Sequence, residues 1–442
     1  MKAGAARLIT LSPCHLVTLS RRRPRLAALV LTLAALGAAA AGVYLWAQYH
    51  LHAAEVALGG EALDEAQRHL DLCLKVRPGS AAVHLLAART ARRRDDYDEA
   101  ERHLAACERL GGVEEGARLE RVLLLAQQGD LDDMEGLLTG RVAPGNPGAV
   151  LIFEALAKGY ANRFWHAEAL ANLDRLLGHQ PWHRRAWLLR ARAREGLAGG
   201  GEDHDTDALH DYEKAVELSP SNEARLGLAG ALYRAGRPRD AALQYEQVRP
   251  AGPEALLGLA RCRYALHEPD EARQLLDELL ARRPDHAAAL TERGRLAYNA
   301  GRPEEAVEWL RRAAAAAPPC DCVPHRLLYQ YLQVMRKDEE ALRWLGLLRQ
   351  REAESLRVDR LVLQTNREPN NLALRFEAAL ALLRLGREQD GVAGLYVVLE
   401  QDPRHGAAHA ALADYLERTG QPRRAARHRR RANGEWRMGN GE

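Results

Sequence analysis

The sequence predicts an all-α chain in which one membrane-spanning helix precedes a solenoid of about eleven helical hairpins. Three observations support this prediction. Aromatic residues make up only 5% of the chain, so the core has to be built mainly from Ala and Leu, which favours close-packed helices over β-sheets. Residues 26–47 carry no charge, and a phrase of about 34 residues recurs through the remainder of the chain.

The composition excludes several classes of protein. Of the 442 residues, 47% are apolar and 28% are charged, which rules out wholesale disorder, collagen and a polytopic membrane protein. Six Cys are too few for a disulfide scaffold. The net charge of +3 combines +6 over residues 1–47, +5 after residue 422 and −8 between them. This acidic body argues against a nucleic-acid-binding surface, and we expect the arginines at 423–431 to form a polar outer face, with anionic polymers or lipids as the alternative ligands.

The N-terminal apolar segment is long enough to cross a membrane. As a helix, residues 26–47 would span roughly 33 Å, against about 30 Å of hydrocarbon in a bilayer. Four arginines at 21–25 flank one end and three aromatic residues at 44–49 flank the other. The positive-inside rule then places residues 1–25 in the cytoplasm and exports the body. A signal peptide cleaved near the small residues 38–41 is the alternative, and it exports the body as well.

The body is built from an internal repeat. The phrase LDEAQRHLDLCLKVRP around Ala66 recurs as YDEAERHLAACERLGG around Ala100 and as PDEARQLLDELLARRP around Ala272. We call the Ala on which each of these phrases centres the anchor. A second small residue lies twelve residues before the anchor, and a Gly often lies between the two. In most copies a Pro lies twelve residues after the anchor. Clear copies centre on the anchors Ala66, Ala100, Ala169, Ala272 and Ala306, and fainter copies centre on Ala208, Ala241 and Ala341, among others. Small residues let two helices cross closely, Gly ends the first helix and Pro stops the second, so each copy predicts a helical hairpin that stacks on its neighbours.

This pattern resembles the tetratricopeptide repeat in its 34-residue period, in its small residues near positions 8 and 20, and in its Pro near position 32. The resemblance covers residues 47–432 in eleven copies, and the preceding apolar segment is typical of bacterial, membrane-anchored members. It implies a right-handed α-solenoid.

The sequence predicts six segments. They are a basic cytoplasmic tail (1–25), a transmembrane helix or signal anchor (26–47), about nine repeats (48–348), an extra helix or linker (349–370), two further repeats (371–432) and a C-terminal tail (433–442). We also expect residues 199–207 to form a loop inserted between two helices. No segment of about 100 residues is left over for a catalytic domain.

Two clusters are weak candidates for a metal site. Cys320 and Cys322 supply two thiols but lack the second Cys pair of a zinc site. Asp203, Asp205 and Asp207 follow the spacing of a calcium-binding loop, but the Gly and the closing Glu of such a loop are missing. We therefore expect no metal and no cofactor.

The resemblance points to the concave face as the binding site, because positions near 2, 5, 9, 12 and 13 of the first helix line that face in the family. In this register the candidate partner-binding residues are Arg192, Arg261 and Arg295 at position 9, Tyr233, Tyr264 and Tyr298 at position 12, and the adjacent Asn299. Arg and Tyr side chains suit an extended, acidic segment of a partner. The carboxylate clamp of chaperone-binding repeats is incomplete, because position 5 holds Leu188, Leu257 or Thr291.

The sequence thus predicts a non-catalytic, membrane-anchored scaffold that binds proteins or peptides outside the cytoplasm. Nucleic acids and small-molecule substrates are not expected partners. The alternative is an accessory subunit of an envelope polysaccharide, lipopolysaccharide or cytochrome assembly system, although the paired Cys-x-x-Cys motifs of the lipopolysaccharide type are absent. An enzyme would need a concealed site at Cys320 and Cys322 or at the Asp203 segment.

Overall fold

The computed structural model describes residues 24–131, 134, 136, 138, 140, 148–197 and 202–435. These residues form 21 α-helices, most of them paired as hairpins, and no strand occurs within the described ranges. The all-α solenoid predicted from the repeat is therefore confirmed. The expected basic tail, apart from its last two residues, and the final seven residues lie outside the described residues.

The chain divides into two compact units, residues 1–124 and 125–442. The first unit contains α1 (Pro24–Gly59), α2 (Leu63–Val76), α3 (Ala81–Arg93), α4 (Tyr97–Leu110) and most of α5 (Glu114–Gln127), which continues into the second. Local signals fix these helices: the Asp96 carboxylate accepts a hydrogen bond from the Glu99 amide at the start of α4, and Gly111 ends that helix with a φ of 69°.

The candidate anchor and the first helix of the first hairpin are one continuous helix. α1 runs for 36 residues, and its section Leu31–Gly59 is long and apolar enough to cross a membrane, as a signal sequence also can be. The sequence placed the end of the span at 47, but the helix continues because Ala54 and Leu58 are buried against α2. The exposed apolar part of α1 therefore leads directly into the repeats.

The second unit contains the remaining helices. They are α6 (Ala149–Asn162), α7 (His166–His179), α8 (Arg184–Leu197), α9 (Glu202–Leu218), α10 (Asn222–Arg234), α11 (Pro238–Glu246), α12 (Pro253–Ala265), α13 (Pro269–Arg282), α14 (Ala287–Asn299), α15 (Pro303–Ala316), α16 (Val323–Val334), α17 (Asp338–Arg367), α18 (Leu372–Leu385), α19 (Glu388–Gln401), α20 (Gly406–Arg418) and α21 (Pro422–Ala432). From α6 onward, each even-numbered helix is the first helix of a hairpin and the next odd-numbered helix is the second.

Small residues lie where the two helices of a hairpin cross. The eight anchor alanines named from the sequence are at most 1% exposed. In the α14–α15 hairpin, a Cβ atom added at Gly294 would lie 2.8 Å from Leu310 Cγ and 3.3 Å from the Ala306 carbonyl oxygen. A longer side chain at either position would push the helices apart, which explains why the repeat keeps both positions small.

The loop expected over residues 199–207 is wrong for residues 202–207, because α9 already begins at Glu202. Residues 199–201 lie outside the described residues. Carboxylates in the first turns of a helix interact favourably with its dipole, so Glu202, Asp203 and Asp205 favour an earlier start. The acidic cluster extends the helix instead of forming a loop.

The second break in the period is a lengthened helix. α17 runs without interruption for 30 residues, whereas the second helices α13, α15 and α19 have 14. Its added C-terminal half packs through Val358 and Val362 against Leu382 and Leu385 of α18. This packing holds the extension against the next hairpin.

We expect Ala306→Glu to lower the melting temperature. The new carboxylate would lie at the α14–α15 crossing with neither space nor water, at a cost of at least ~1–3 kcal/mol. Ala315→Glu is the matched control, because Ala315 is exposed on the same helix. Thermal unfolding followed by circular dichroism measures both, and an unchanged melting temperature for Ala306→Glu would contradict the assigned crossing.

Candidate partner-binding face

The first helices of successive hairpins lie side by side in the second unit. Helices α10, α12, α14 and α16 contact one another in order, and each second helix contacts the first helix that follows it. Because the first helices lie side by side, residues about one repeat apart become neighbours across this face. We refer to the surface formed by α10, α12, α14 and α16 as the inner face.

Arginines at position 9 bind a glutamate on the next first helix. Arg261 Nε lies 3.0 Å from Glu292 Oε1, and Arg192 Nη1 lies 2.5 Å from Glu223 Oε1. Both pairs span 31 residues, and so does the Arg89 pair in the first unit, where the two atoms are 2.6 Å apart. The repeat pattern predicts the arginines but not their partners, although a Glu lies 31 residues after Arg89, Arg192 and Arg261 in the sequence. These arginines are therefore partly committed to joining adjacent helices.

Arg295 has a different environment. The residue 31 positions later is Arg326 instead of a Glu, so Arg295 turns back to Glu292 of its own helix, with 3.5 Å between Nη1 and Oε2. Glu292 is thus shared by Arg261 and Arg295, and the side chain of Arg295 remains 42% exposed. Two positive charges against one carboxylate leave an excess positive charge on this part of the inner face.

Tyrosines form a second row beside the arginines. The rings of Tyr298 and Tyr331 stack with their centroids 3.6 Å apart and their planes inclined by 9°. The Asn299 amide donates a hydrogen bond to the Tyr264 hydroxyl, and Tyr233 is partly exposed on the preceding first helix. Tyr331 was not among the predicted residues, because it lies outside the positions that the resemblance assigns to the concave face.

Burial raises the pKa of Tyr233 and of Tyr331. Both hydroxyls consequently stay protonated at physiological pH and can donate hydrogen bonds. The space between Arg261, Tyr264 and Arg295 measures only about 10 Å³, which is room for a single water molecule. A partner would therefore lie across the row of side chains and not inside a pocket.

A larger cavity opens beside the lengthened helix. It has a volume of about 800 Å³ and is lined by the second half of α17, by α18 and by Pro319. Leu361, Phe376 and Leu380 contribute apolar surface, while arginines of both helices contribute charge. The repeat pattern does not predict this cavity, because the extension of α17 that lines it lies outside the repeat.

The predicted metal candidates lie on different elements of the second unit. Cys320 is exposed and Cys322 is half-buried, both with free thiols, between α15 and α16, and burial raises the pKa of Cys322. Asp203, Asp205 and Asp207 lie within α9. In the part of the chain that the structure describes, no three His, Cys, Asp or Glu residues are placed to hold a metal ion.

Comparison with known proteins identifies the repeat. Residues 206–255 and 257–319 match the family model described as tetratricopeptide repeat. Among curated proteins, the chain is 27% identical over 141 residues to anaphase-promoting complex subunit 7 of Mus musculus, which is 31% of this chain and 25% of that protein. It is 36% identical over 103 residues to the protein CTR9 homolog of Arabidopsis thaliana, which is 22% of this chain and 9% of that protein.

The chain therefore spans a quarter or less of the length of these two relatives. Among solved structures, the type IV pilus biogenesis factor PilW is 20% identical, with a TM-score of 0.40 over 45% of this chain and 91% of PilW.

We expect Arg261→Ala to lower the free energy of unfolding modestly. This loss should disappear when Glu292 has already been replaced by Ala. A charge pair with one half-exposed partner contributes about 0.5–1 kcal/mol, so Arg261→Ala, Glu292→Ala and the double variant should show a coupling of this size in urea unfolding. Arg273→Ala on α13, with a similarly exposed side chain, is the control. Additive effects of Arg261→Ala and Glu292→Ala would contradict the pairing.

Proposed function

We propose that this chain, which is a tetratricopeptide-repeat protein, is a non-catalytic scaffold that binds a protein or peptide segment along the inner face of its second unit. The main support is the row of partly exposed side chains on adjacent first helices, above all Tyr233, Tyr264 and Arg295. Rigid aromatic side chains beside a guanidinium are typical of residues that dominate binding energy in protein interfaces. The matched repeats, residues 206–319, include this row.

The proposed segment is extended and carries carboxylates. Arg295 provides a planar fork for a carboxylate, and the Tyr264 and Tyr298 rings provide apolar area with a polar tip. Glu292 neutralises only one of the two arginines that it contacts. An acidic side chain of a partner would balance the remaining charge, so ionic strength should weaken binding.

We further propose that α1 anchors the protein in a membrane and that the repeats lie outside the cytoplasm. The supporting observations are the exposed apolar section of α1 and the arginines that precede it in sequence. In that location the protein would act as an assembly scaffold of the cell envelope. An accessory role in envelope polysaccharide, lipopolysaccharide or cytochrome assembly is the alternative, and identification of the partner decides between them.

Replacing Tyr264 or Arg295 should weaken binding to the partner without unfolding the chain. The partner is first identified by crosslinking and pulldown from membranes with the exported body as bait. Tyr264→Ala and Arg295→Ala should then each reduce affinity roughly five- to thirty-fold, or about 1–2 kcal/mol, measured by calorimetry at two salt concentrations.

Arg273→Ala is the matched control, because it removes an equal charge from α13, a second helix. Helical content and melting temperature should stay at the wild-type values in all three variants. Wild-type affinity in a folded chain that lacks both Tyr264 and Arg295 side chains would place the binding site elsewhere.

The orientation is tested by protease accessibility. Protease added to spheroplasts that express the chain should digest the repeats, because they are expected on the outer side of the membrane. Lysed cells serve as the control for intrinsic cleavage. Repeats that resist protease in spheroplasts but not in lysate would contradict the proposed orientation.

A further inference from the structure

The last helix of the second unit contacts residues near the beginning of the same unit. Arg431 Nη2 lies 3.1 Å and 3.0 Å from the two carboxylate oxygens of Asp130, which is 301 residues earlier in the chain. Arg427 Nη1 lies 3.6 Å from Asp130 Oδ2, and Arg427 Nη2 donates to Gln128 Oε1 over 2.5 Å. Two arginines of α21 therefore hold one carboxylate between them.

Further contacts extend this joint beyond a single ion pair. Arg163 Nε donates to the Gly129 carbonyl over 2.7 Å, and its guanidinium lies 4.7 Å from the ring centroid of Tyr396 on α19. Arg424 Nη2 lies 3.3 Å from the Tyr396 hydroxyl, and Trp165 packs against the apolar cluster of α18–α20. The two ends of the second unit are thus joined by ionic, aromatic and apolar contacts.

This joint corrects the expectation for the arginines at 423–431. They were expected to form a solvated outer face or to bind anionic polymers, yet Arg424, Arg427 and Arg431 contact this chain's own residues. α21 is the last helix that the structure describes, and residues near the start of the second unit contact it, so the described part of this unit closes on itself.

A buried histidine pair includes His428 of the same helix, beside these arginines. His428 Nδ1 lies 2.9 Å from His409 Nδ1 of α20, and His409 Nε2 lies 2.9 Å from the Pro403 carbonyl oxygen. A carbonyl can only accept, so His409 Nε2 carries the proton and its neutral Nδ1 accepts from His428 Nδ1–H. Only one of the two Nδ1 atoms can carry a proton in this arrangement, so the pair cannot hold two positive charges, and the surroundings decide whether it holds one.

The surroundings of His428 oppose a positive charge. Facing it are Arg424, Arg427 and Arg431 of α21, His409 of α20, Tyr396 of α19 and the Asp130 carboxylate. Asp130 is already shared by Arg427 and Arg431, while the α20 carboxylates Asp414 and Glu417 bind Arg429. Burial, followed by His409 and the three arginines, lowers the pKa of His428 well below its usual value.

We propose that α21 is an acid-sensitive latch that closes the second unit on itself and is released when His428 is protonated. The released helix binds the proton more readily than the latched one, so closure is complete above about pH 6.5 and weakens as the pH falls below that value, by roughly tenfold per pH unit for one histidine.

Hydrogen exchange of α21 in the full-length chain, held in detergent micelles, tests the latch. After correction for intrinsic rates, α21 amides of the wild type should exchange roughly tenfold faster at pH 5.5 than at pH 7.5. Asp130→Asn should accelerate exchange on the order of tenfold at pH 7.5, because it removes the shared carboxylate. His428→Gln should keep the protection at pH 7.5 and lose the acid response, since its amide still donates to His409 but does not titrate.

The chain contains a matched control. His84 and His103 repeat the geometry in the first unit, with 2.9 Å between their Nδ1 atoms and 2.9 Å from His84 Nε2 to the Pro78 carbonyl oxygen. His103→Gln should leave the acid response of α21 unchanged.

Equal protection of α21 at both pH values in the wild type would overturn the proposal, and so would an unaltered rate in Asp130→Asn. Persistence of the acid response in His428→Gln would remove His428 as the sensor. If His428→Gln does not fold, His428→Phe takes its place in this test. Hydrogen exchange in α14 and α15 shows whether each variant is folded.

Discussion

The close crossing of two helices at small residues is the constraint on which the rest of the structure depends. At the α14–α15 crossing, neither Gly294 nor Ala306 leaves space for another carbon. Holding two helices at this distance in hairpin after hairpin brings the first helices side by side, as α12, α14 and α16 show. Only then can side chains about one repeat apart meet, which is how an inner face arises from a one-dimensional period.

The arginines at position 9 form ion pairs mainly with glutamates of the next repeat. Each Arg at position 9 that has a Glu 31 residues later binds it, as Arg192 and Arg261 do. Such pairs are partly exposed and contribute little stability individually, but they fix the side chains in place. Where the sequence changes the Glu to Arg326, the pairing fails and Arg295 is left with excess positive charge. The proposed binding site therefore lies where this series of Arg–Glu pairs is interrupted.

Departures from the 34-residue period also create distinct surfaces at two other places in the second unit. The lengthened α17 packs its extension on α18 and opens a cavity of about 800 Å³ next to it. α21, the last helix that the structure describes, contacts Asp130 and Gln128 near the start of the same unit. In each case the regular repeat provides the frame, and the departure from it creates a surface that the other repeats lack.

The sequence by itself determined the repeat, the helical hairpins and the residues at their crossings, because each hairpin contacts mainly its neighbours and the 34-residue period reports those contacts directly. Through its resemblance to the tetratricopeptide repeat, it also predicted Arg261 and Tyr264 on the concave face. The tertiary structure alone decided which carboxylates these arginines bind, that α9 begins before its anchor, and that Arg431 meets Asp130 across 301 residues. A local period contains no information on such pairs, because they depend on how the small rotations of many stacked repeats add up around the unit.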